Sequence, residues 1–144
     1  MKIPPEIQID ATLYSGSVFY FVEERLTSDE PHYFVTLNRE PTSDPLLLMV
    51  CSTSKLDKVR LRNINNNPDD TLIKVFPSQY PEFSKTSIFD CNSLFLKTTA
   101  NLVSKLNEGK LKIKPKMPDD ILIKLRSAVK ASPVVAASQK RILL

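Results

Sequence analysis

Hydroxyl and cationic side chains follow directly on an apolar run in the middle of the chain. The apolar run at residues 46–51 is followed by three hydroxyls and a cation: Ser52, Thr53, Ser54 and Lys55. An uninterrupted apolar run bounded by turn residues is typical of a buried strand, and such strands hold functional loops in place. Hydroxyl donors beside a positive charge can bind a phosphate or another polar backbone. The alternative is a Ser/Thr turn whose hydroxyls satisfy their own backbone.

The chain also contains the residue types that metal-free RNA cleavage requires. Such cleavage needs a base for the 2′-hydroxyl proton, an acid for the leaving oxygen and donors for the phosphate. Candidates for these roles stand at predicted strand ends: Thr53, Ser54, His32 and Asp90. Cations that could contact RNA follow the third predicted strand: Lys55, Lys58, Arg60 and Arg62. Since the same segment also contains an acid, a solvated loop is the competing interpretation.

Several standard sites lack their residues. The only two glycines, Gly16 and Gly109, do not form a Gly-rich phosphate loop. His32 is the only histidine, so we expect neither a clustered metal site nor a conventional Ser-His-Asp site. Cys51 and Cys91 lack the spacing of a disulfide framework or a zinc site, and free thiols in a core are expected. The sequence therefore predicts no cofactor.

Length and composition are typical of one soluble domain. The chain has 144 residues, of which 42% are hydrophobic and 25% are charged. Its net charge of +4 permits an anionic partner without requiring one. No apolar run approaches the roughly 20 residues of a membrane span, and residues 1–5 lack the apolar core of a signal peptide. We therefore expect a cytoplasmic protein with no membrane partner.

Predicted strands come first along the chain and predicted helices come last. Aromatic, β-branched and apolar runs predict five strands, at residues 17–22, 32–37, 46–51, 71–76 and 87–91. One helix is expected from about residue 99 to 108 with Gly109 as its cap, and another from Pro118 to just before Pro133. This order predicts an α+β fold: a small, strongly bent antiparallel sheet or barrel of about five or more strands, with two main C-terminal helices.

Lysines alternate with apolar residues between the two predicted helices. In residues 110–116, the alternation would place Leu111 and Ile113 inward and four lysines in water. A sheet edge that its lysines protect from aggregation is one interpretation. A contact with nucleic acid or an acidic partner is the other.

Several of these segments resemble the MazF/PemK family of toxin modules. Residues 16–20 are similar to the family's opening strand, and residues 31–37 to its second strand, which normally begins with Arg-Pro. Residues 50–54 are similar to the Val-Pro-x-Thr-Ser or Thr-Thr strand end. Residues 86–92 resemble a later strand that often carries an arginine and an acid. The helix before Pro133 fits the closing helix.

The resemblance covers about residues 15–133 and implies an SH3-like barrel with packed helices. Residues 1–14 would then be an N-terminal extension and residues 134–144 a tail. It implies a toxin of a type II toxin–antitoxin system that binds single-stranded RNA, cleaves it as a metal-independent endoribonuclease, and forms a homodimer held by an antitoxin. A non-catalytic SH3-like barrel that binds a protein or nucleic-acid partner is the alternative, and a structural subunit of an assembly is a third.

The resemblance also assigns roles to individual residues. Thr53 and Ser54 match the pair that family members place at the RNA site. His32 lies in the region where the family has an arginine. On the later strand, Asp90 replaces the second arginine, and Asn92, which stands where an acid is common, is expected to contact RNA. Because those arginines would stabilise charge on the phosphate, we expect a different residue set to contact RNA, with His32 acting beside Lys55 or Arg60.

Overall fold

The computed structural model describes residues 3–26, 29–55 and 68–143. Seven strands lie in these ranges: β1 (Val18–Phe21), β2 (His32–Thr36), β3 (Leu47–Thr53), β4 (Leu72–Val75), β5 (Ser87–Asp90), β6 (Phe95–Lys97) and β7 (Leu111–Lys114). Four α-helices accompany them: α1 (Pro5–Thr12), α2 (Thr99–Asn107), α3 (Asp119–Ala131) and α4 (Ala137–Ile142). All strand pairs are antiparallel. The predicted α+β class and antiparallel sheet are confirmed.

β3 is the central strand of the sheet. The strands follow the order β4-β5-β3-β2-β1-β7, and β6 also pairs with β3. Along one edge β3 pairs with β2, while along the other it pairs first with β6 and then, at Ser52 and Thr53, with β5. Among the described residues no ladder joins β4 to β7, so the paired strands form an open sheet.

Apolar side chains cover both faces of this sheet, because alternate residues of each strand point to opposite sides. On one side Val35 and Val50 pack with Leu125 of α3, and we call this side the α3 face. On the other side Phe19 and Phe34 lie in a cluster with residues of α1 and α2, and we call this side the α1–α2 face. The sheet is therefore a middle layer between two groups of helices.

Both terminal segments contribute to the core. Ile9 of α1 is completely buried in the cluster on the α1–α2 face, and Leu13 follows it there. At the other end, Leu143 after α4 is completely buried in the cluster on the α3 face. The segments expected as an extension and a tail thus contribute buried apolar side chains to the two core clusters.

The lysine-rich connection forms the end strand of the sheet. β7 pairs with β1, its Leu111 is buried, and its Lys112 is exposed, as the alternation predicts. β6 was not predicted, because three residues are too short for a recognisable period. In the portions of the chain that the structure describes, no helix has both the length and the apolar character needed to cross a bilayer.

Candidate functional site

His32 and Thr53 lie at the same end of the hairpin formed by β2 and β3. The pairing between these strands ends at Phe34 and Cys51, and His32 and Thr53 each lie two residues beyond that pair. Side chains two residues apart on a strand share a face. Both side chains therefore lie on the α1–α2 face, and both are partly exposed.

Asp90 lies on the neighbouring strand on the same side of the sheet. Thr53 pairs with Ile88 of β5, and Asp90 is two residues further along β5. This diagonal relation corresponds to a separation of about 7–8 Å between Thr53 and Asp90. Asp90 is also partly exposed. Register and alternation thus place His32, Thr53 and Asp90 on one face of three adjacent strands, with His32 level with Thr53 and with Asp90 level with Cys51, two residues further into the sheet.

Asn92 holds the Asp90 carboxylate in place. Its backbone N–H and its side-chain Nδ2 both donate to Oδ1 of Asp90, at 3.1 and 2.9 Å. Nδ2 also donates to Oγ1 of Thr71, at 2.8 Å. Asn92 therefore positions Asp90 in this structure. The RNA contact expected of Asn92 stays a prediction.

Thr53 takes part in a local turn at the end of β3. Its Oγ1 accepts a hydrogen bond from the backbone N–H of Lys55, at 3.1 Å. This is the Ser/Thr turn that was the alternative to a phosphate site, but it uses only an acceptor position, so the hydroxyl hydrogen remains able to donate. Ser54 and Lys55 are exposed beyond the strand. Lys58, Arg60 and Arg62 lie outside the described residues.

His32 is the most versatile group of the three, since neutral imidazole can both donate and accept a proton. Its Nδ1 is buried and makes no hydrogen bond with the described residues. Catalytic bases are usually oriented by a third group. Within the described part of the chain, the arrangement therefore offers a proton-transfer group without the partner that would fix its tautomer.

A tyrosine pair on the other face was missed by the sequence analysis. Tyr20 of β1 lies directly opposite Tyr33 of β2, and their ring centroids are 4.5 Å apart. The ammonium of Lys114 lies 5.5 Å from the centroid of the Tyr20 ring. The available signal was a tyrosine in each of two consecutive predicted strands, but only the register shows that they meet.

Comparison with known proteins adds no assignment to this geometry. No model of a protein family matches the sequence, and no curated protein matches it significantly. The resemblance to the MazF/PemK family therefore rests on its short motifs, and it stays a prediction. Among the described residues, no three His, Cys, Asp or Glu side chains are grouped so that they could hold a metal ion.

Proposed function

We propose that the chain is a cytoplasmic toxin-like module of the MazF/PemK type that binds single-stranded RNA. The observation that supports this best is that His32, Thr53 and Asp90 lie on the same face of the adjacent strands β2, β3 and β5, within two residues of one another in register. The SH3-like barrel, the homodimer and the antitoxin that the resemblance implies belong to the same proposal.

Each of the three residues has a role in this proposal. The Thr53 hydroxyl donates to a phosphate oxygen, and the exposed Lys55 beside it contributes positive charge. His32 and Asp90 are the groups that can exchange protons with the RNA. In metal-independent cleavage one of them accepts the 2′-hydroxyl proton, the 2′-oxygen attacks the phosphorus, and the other protonates the departing 5′-oxygen. The products are a cyclic phosphate and a free 5′-hydroxyl.

Cleavage is tested with purified protein and mixed RNA in EDTA. Activity should persist in the chelator and should fall by roughly 100-fold or more in His32→Gln and in Thr53→Val. Thr42→Val is the matched control, since this exposed threonine lies in the loop at the opposite end of the β2–β3 hairpin. Equal activity of Thr42→Val and Thr53→Val would contradict the assignment, and intact RNA at high enzyme excess would exclude cleavage.

A non-catalytic binding module is the second candidate. Two observations favour it: Nδ1 of His32 has no hydrogen-bond partner among the described residues, and Asp90 stands where the resembled family has an arginine. This candidate predicts RNA binding that weakens with salt but leaves the RNA intact. A short neighbouring reading frame with an acidic, disordered tail would favour a toxin–antitoxin pair instead.

A further inference from the structure

Two tyrosines and two lysines form a continuous row across three strands on the α3 face of the sheet. Tyr20 pairs with Tyr33 of β2 on one side and with Lys112 of β7 on the other. Lys114 lies two residues beyond Lys112 and therefore points to the same face. Both tyrosines are partly exposed and Lys112 is exposed. We call these four residues the tyrosine–lysine surface.

Tyr33 is the fixed member of the aromatic pair. Its ring packs edge-on against Phe83, with centroids 5.0 Å apart, and its hydroxyl donates to the carbonyl of Glu82 at 3.2 Å. Burial first, and then the neighbouring Tyr20 and Glu82, raise the pKa of the Tyr33 hydroxyl, so the ring stays uncharged near neutral pH. Tyr20 tilts against this anchored ring at 45°. Contact with the Tyr33 ring restricts the Tyr20 side chain, so less conformational entropy is lost when a ligand stacks on Tyr20.

The lysines of this edge differ in their partners. Lys110 lies 3.4 Å from Glu108, and Lys116 lies 3.0 Å from Asp119. Lys112 and Lys114 take part in none of the ion pairs formed between described residues. Of the four lysines in residues 110–116, the two beside the tyrosines are therefore the two that form no ion pair with a described carboxylate.

We infer that the tyrosine–lysine surface binds a single-stranded polynucleotide, with a base stacked on Tyr20 and phosphates at Lys112 and Lys114. Aromatic rings beside cations are the combination that proteins use for single strands, because every base has a face that can stack. A stacked base displaces the Lys114 ammonium from the Tyr20 ring, and the phosphate then gives that ammonium a stronger partner. This surface lies on the opposite face from His32, Thr53 and Asp90, so it extends the proposed function and does not require cleavage.

The lysines are tested by fluorescence anisotropy with labelled oligouridine and oligodeoxythymidine of equal length, in EDTA and over a salt series. In the double variant Lys112→Gln/Lys114→Gln, the slope of log affinity against log salt should fall by about 1.4, from about 0.7 for each lysine. The matched control is Lys110→Gln/Lys116→Gln, which removes the same charge from the same edge. In this control, the slope of log affinity against log salt should fall by less than half of the change expected for Lys112→Gln/Lys114→Gln.

Tyr20 is tested in the same assay as Tyr20→Leu, which keeps apolar bulk but removes the stacking ring. Affinity should fall by roughly 5- to 150-fold. Tyr14→Leu is the control, because Tyr14 is 43% exposed and also has a lysine over its ring, Lys116 at 5.9 Å. Its affinity should remain within about twofold of the unchanged protein.

Several results would overturn the inference. Binding of neither oligomer would do so, and so would equal losses in the test and control variants. A change in oligomeric state on sedimentation in Lys112→Gln/Lys114→Gln, without a change in affinity, would assign this edge to a contact between copies. Binding of both oligomers supports it, and binding of RNA alone adds a 2′-hydroxyl contact. If Thr53→Val loses cleavage but still binds the oligomers, the site at Thr53 and the tyrosine–lysine surface act separately. If the protein cleaves RNA but Tyr20→Leu binds with unchanged affinity, the inference about the tyrosine–lysine surface fails and the proposed function does not.

Discussion

At the scale of single residues, Glu23 is a buried carboxylate paired with Lys97. The Glu23 side chain is 2% exposed and that of Lys97 is 13% exposed, with Oε2 and Nζ 2.5 Å apart. The pair connects the chain just after β1 with the end of β6. The same ammonium lies 6.0 Å from the centroid of the Phe21 ring. Because both charges are largely removed from water, each depends on the other for compensation.

Lys97→Met should therefore lower the free energy of unfolding by about 3–5 kcal/mol, since it leaves a buried charge uncompensated. Urea unfolding measures the loss. The double variant Glu23→Gln/Lys97→Met should recover most of it, because the unpaired charge is gone. Lys110→Met is the control, since its pair with Glu108 is exposed and contributes about 0–1 kcal/mol. Equal losses in the two single variants would show that burial does not matter at Glu23.

The Cys91 thiol should make stability depend on alkaline pH. Burial first, and then the nearby Asp90 charge, raise the pKa of Cys91 above its ordinary value of 9.0. A raised pKa means that the fold favours the neutral thiol, so this contribution is complete below about pH 9 and is lost as the pH rises further. Urea unfolding between pH 7 and pH 10.5 should show that loss. Cys91→Ala should make the decline above pH 9 less steep and leave the shape of the curve below pH 8 unchanged; parallel curves would contradict this account.

At the scale of elements, α2 is capped at both ends. Oγ1 of Thr98 accepts from the backbone N–H of Asn101, and Oδ1 of Asn101 accepts from that of Thr98. At the C-terminus, the N–H of Gly109 donates to Leu106 and the N–H of Lys110 donates to Lys105. The second pair of bonds is a Schellman motif, which requires a residue of positive φ at Gly109.

The two glycines should respond differently to the same substitution. Gly109 has φ +72° with no atom near an added Cβ, so Gly109→Ala should cost only backbone strain, about 1–2 kcal/mol. At Gly16, with φ +90°, an added Cβ would lie 3.1 Å from Cδ2 of Leu122 and from Cε of Lys116. Gly16→Ala should therefore cost about 2–5 kcal/mol, because crowding adds to strain. Thermal unfolding compares the two variants. An equal effect would mean that Leu122 of α3 moves away from the added Cβ at little energetic cost.

The elements also show what the sequence alone could predict. The five strands predicted from apolar runs, α2 with its Gly109 cap and α3 all have a local signal, and they lie within a few residues of their predicted bounds. α1 lacks the apolar period of a helix, because Ile7 and Ile9 alternate as in a strand, although Pro5 and Glu6 are typical of a first helical turn. For the candidate site, the strand ends that carry His32, Thr53 and Asp90 could be predicted, because polar and turn-forming residues bound the apolar runs. The meeting of Tyr20 with Tyr33 could not, because it depends on register across a charged connection.

At the scale of the whole molecule, the sheet links two separate apolar clusters. Successive residues of β2 and β3 contribute to opposite sides: Phe34 and Met49 pack on the α1–α2 face, while Val35 and Val50 pack on the α3 face. Unfolding of β2 or β3 would therefore remove side chains from both clusters at once. We therefore expect both sides to unfold in one cooperative transition, and damage to either to lower the stability of the whole.

Variants of α1 test most directly whether both faces of the sheet contribute to one folded unit, because the sequence predicted this segment to be an extension outside the domain. Ile9 is fully buried on the α1–α2 face, whereas Ile7 on the same helix is 57% exposed. Ile9→Ala should lower the free energy of unfolding by about 2–5 kcal/mol. Ile7→Ala changes the same side chain in the same helix and should stay within about 0.5 kcal/mol of the parent protein. Removal of residues 1–13 should cost more than Ile9→Ala, because it also uncovers Leu102 of α2. A shortened protein that keeps its melting temperature would show instead that the domain is complete without α1.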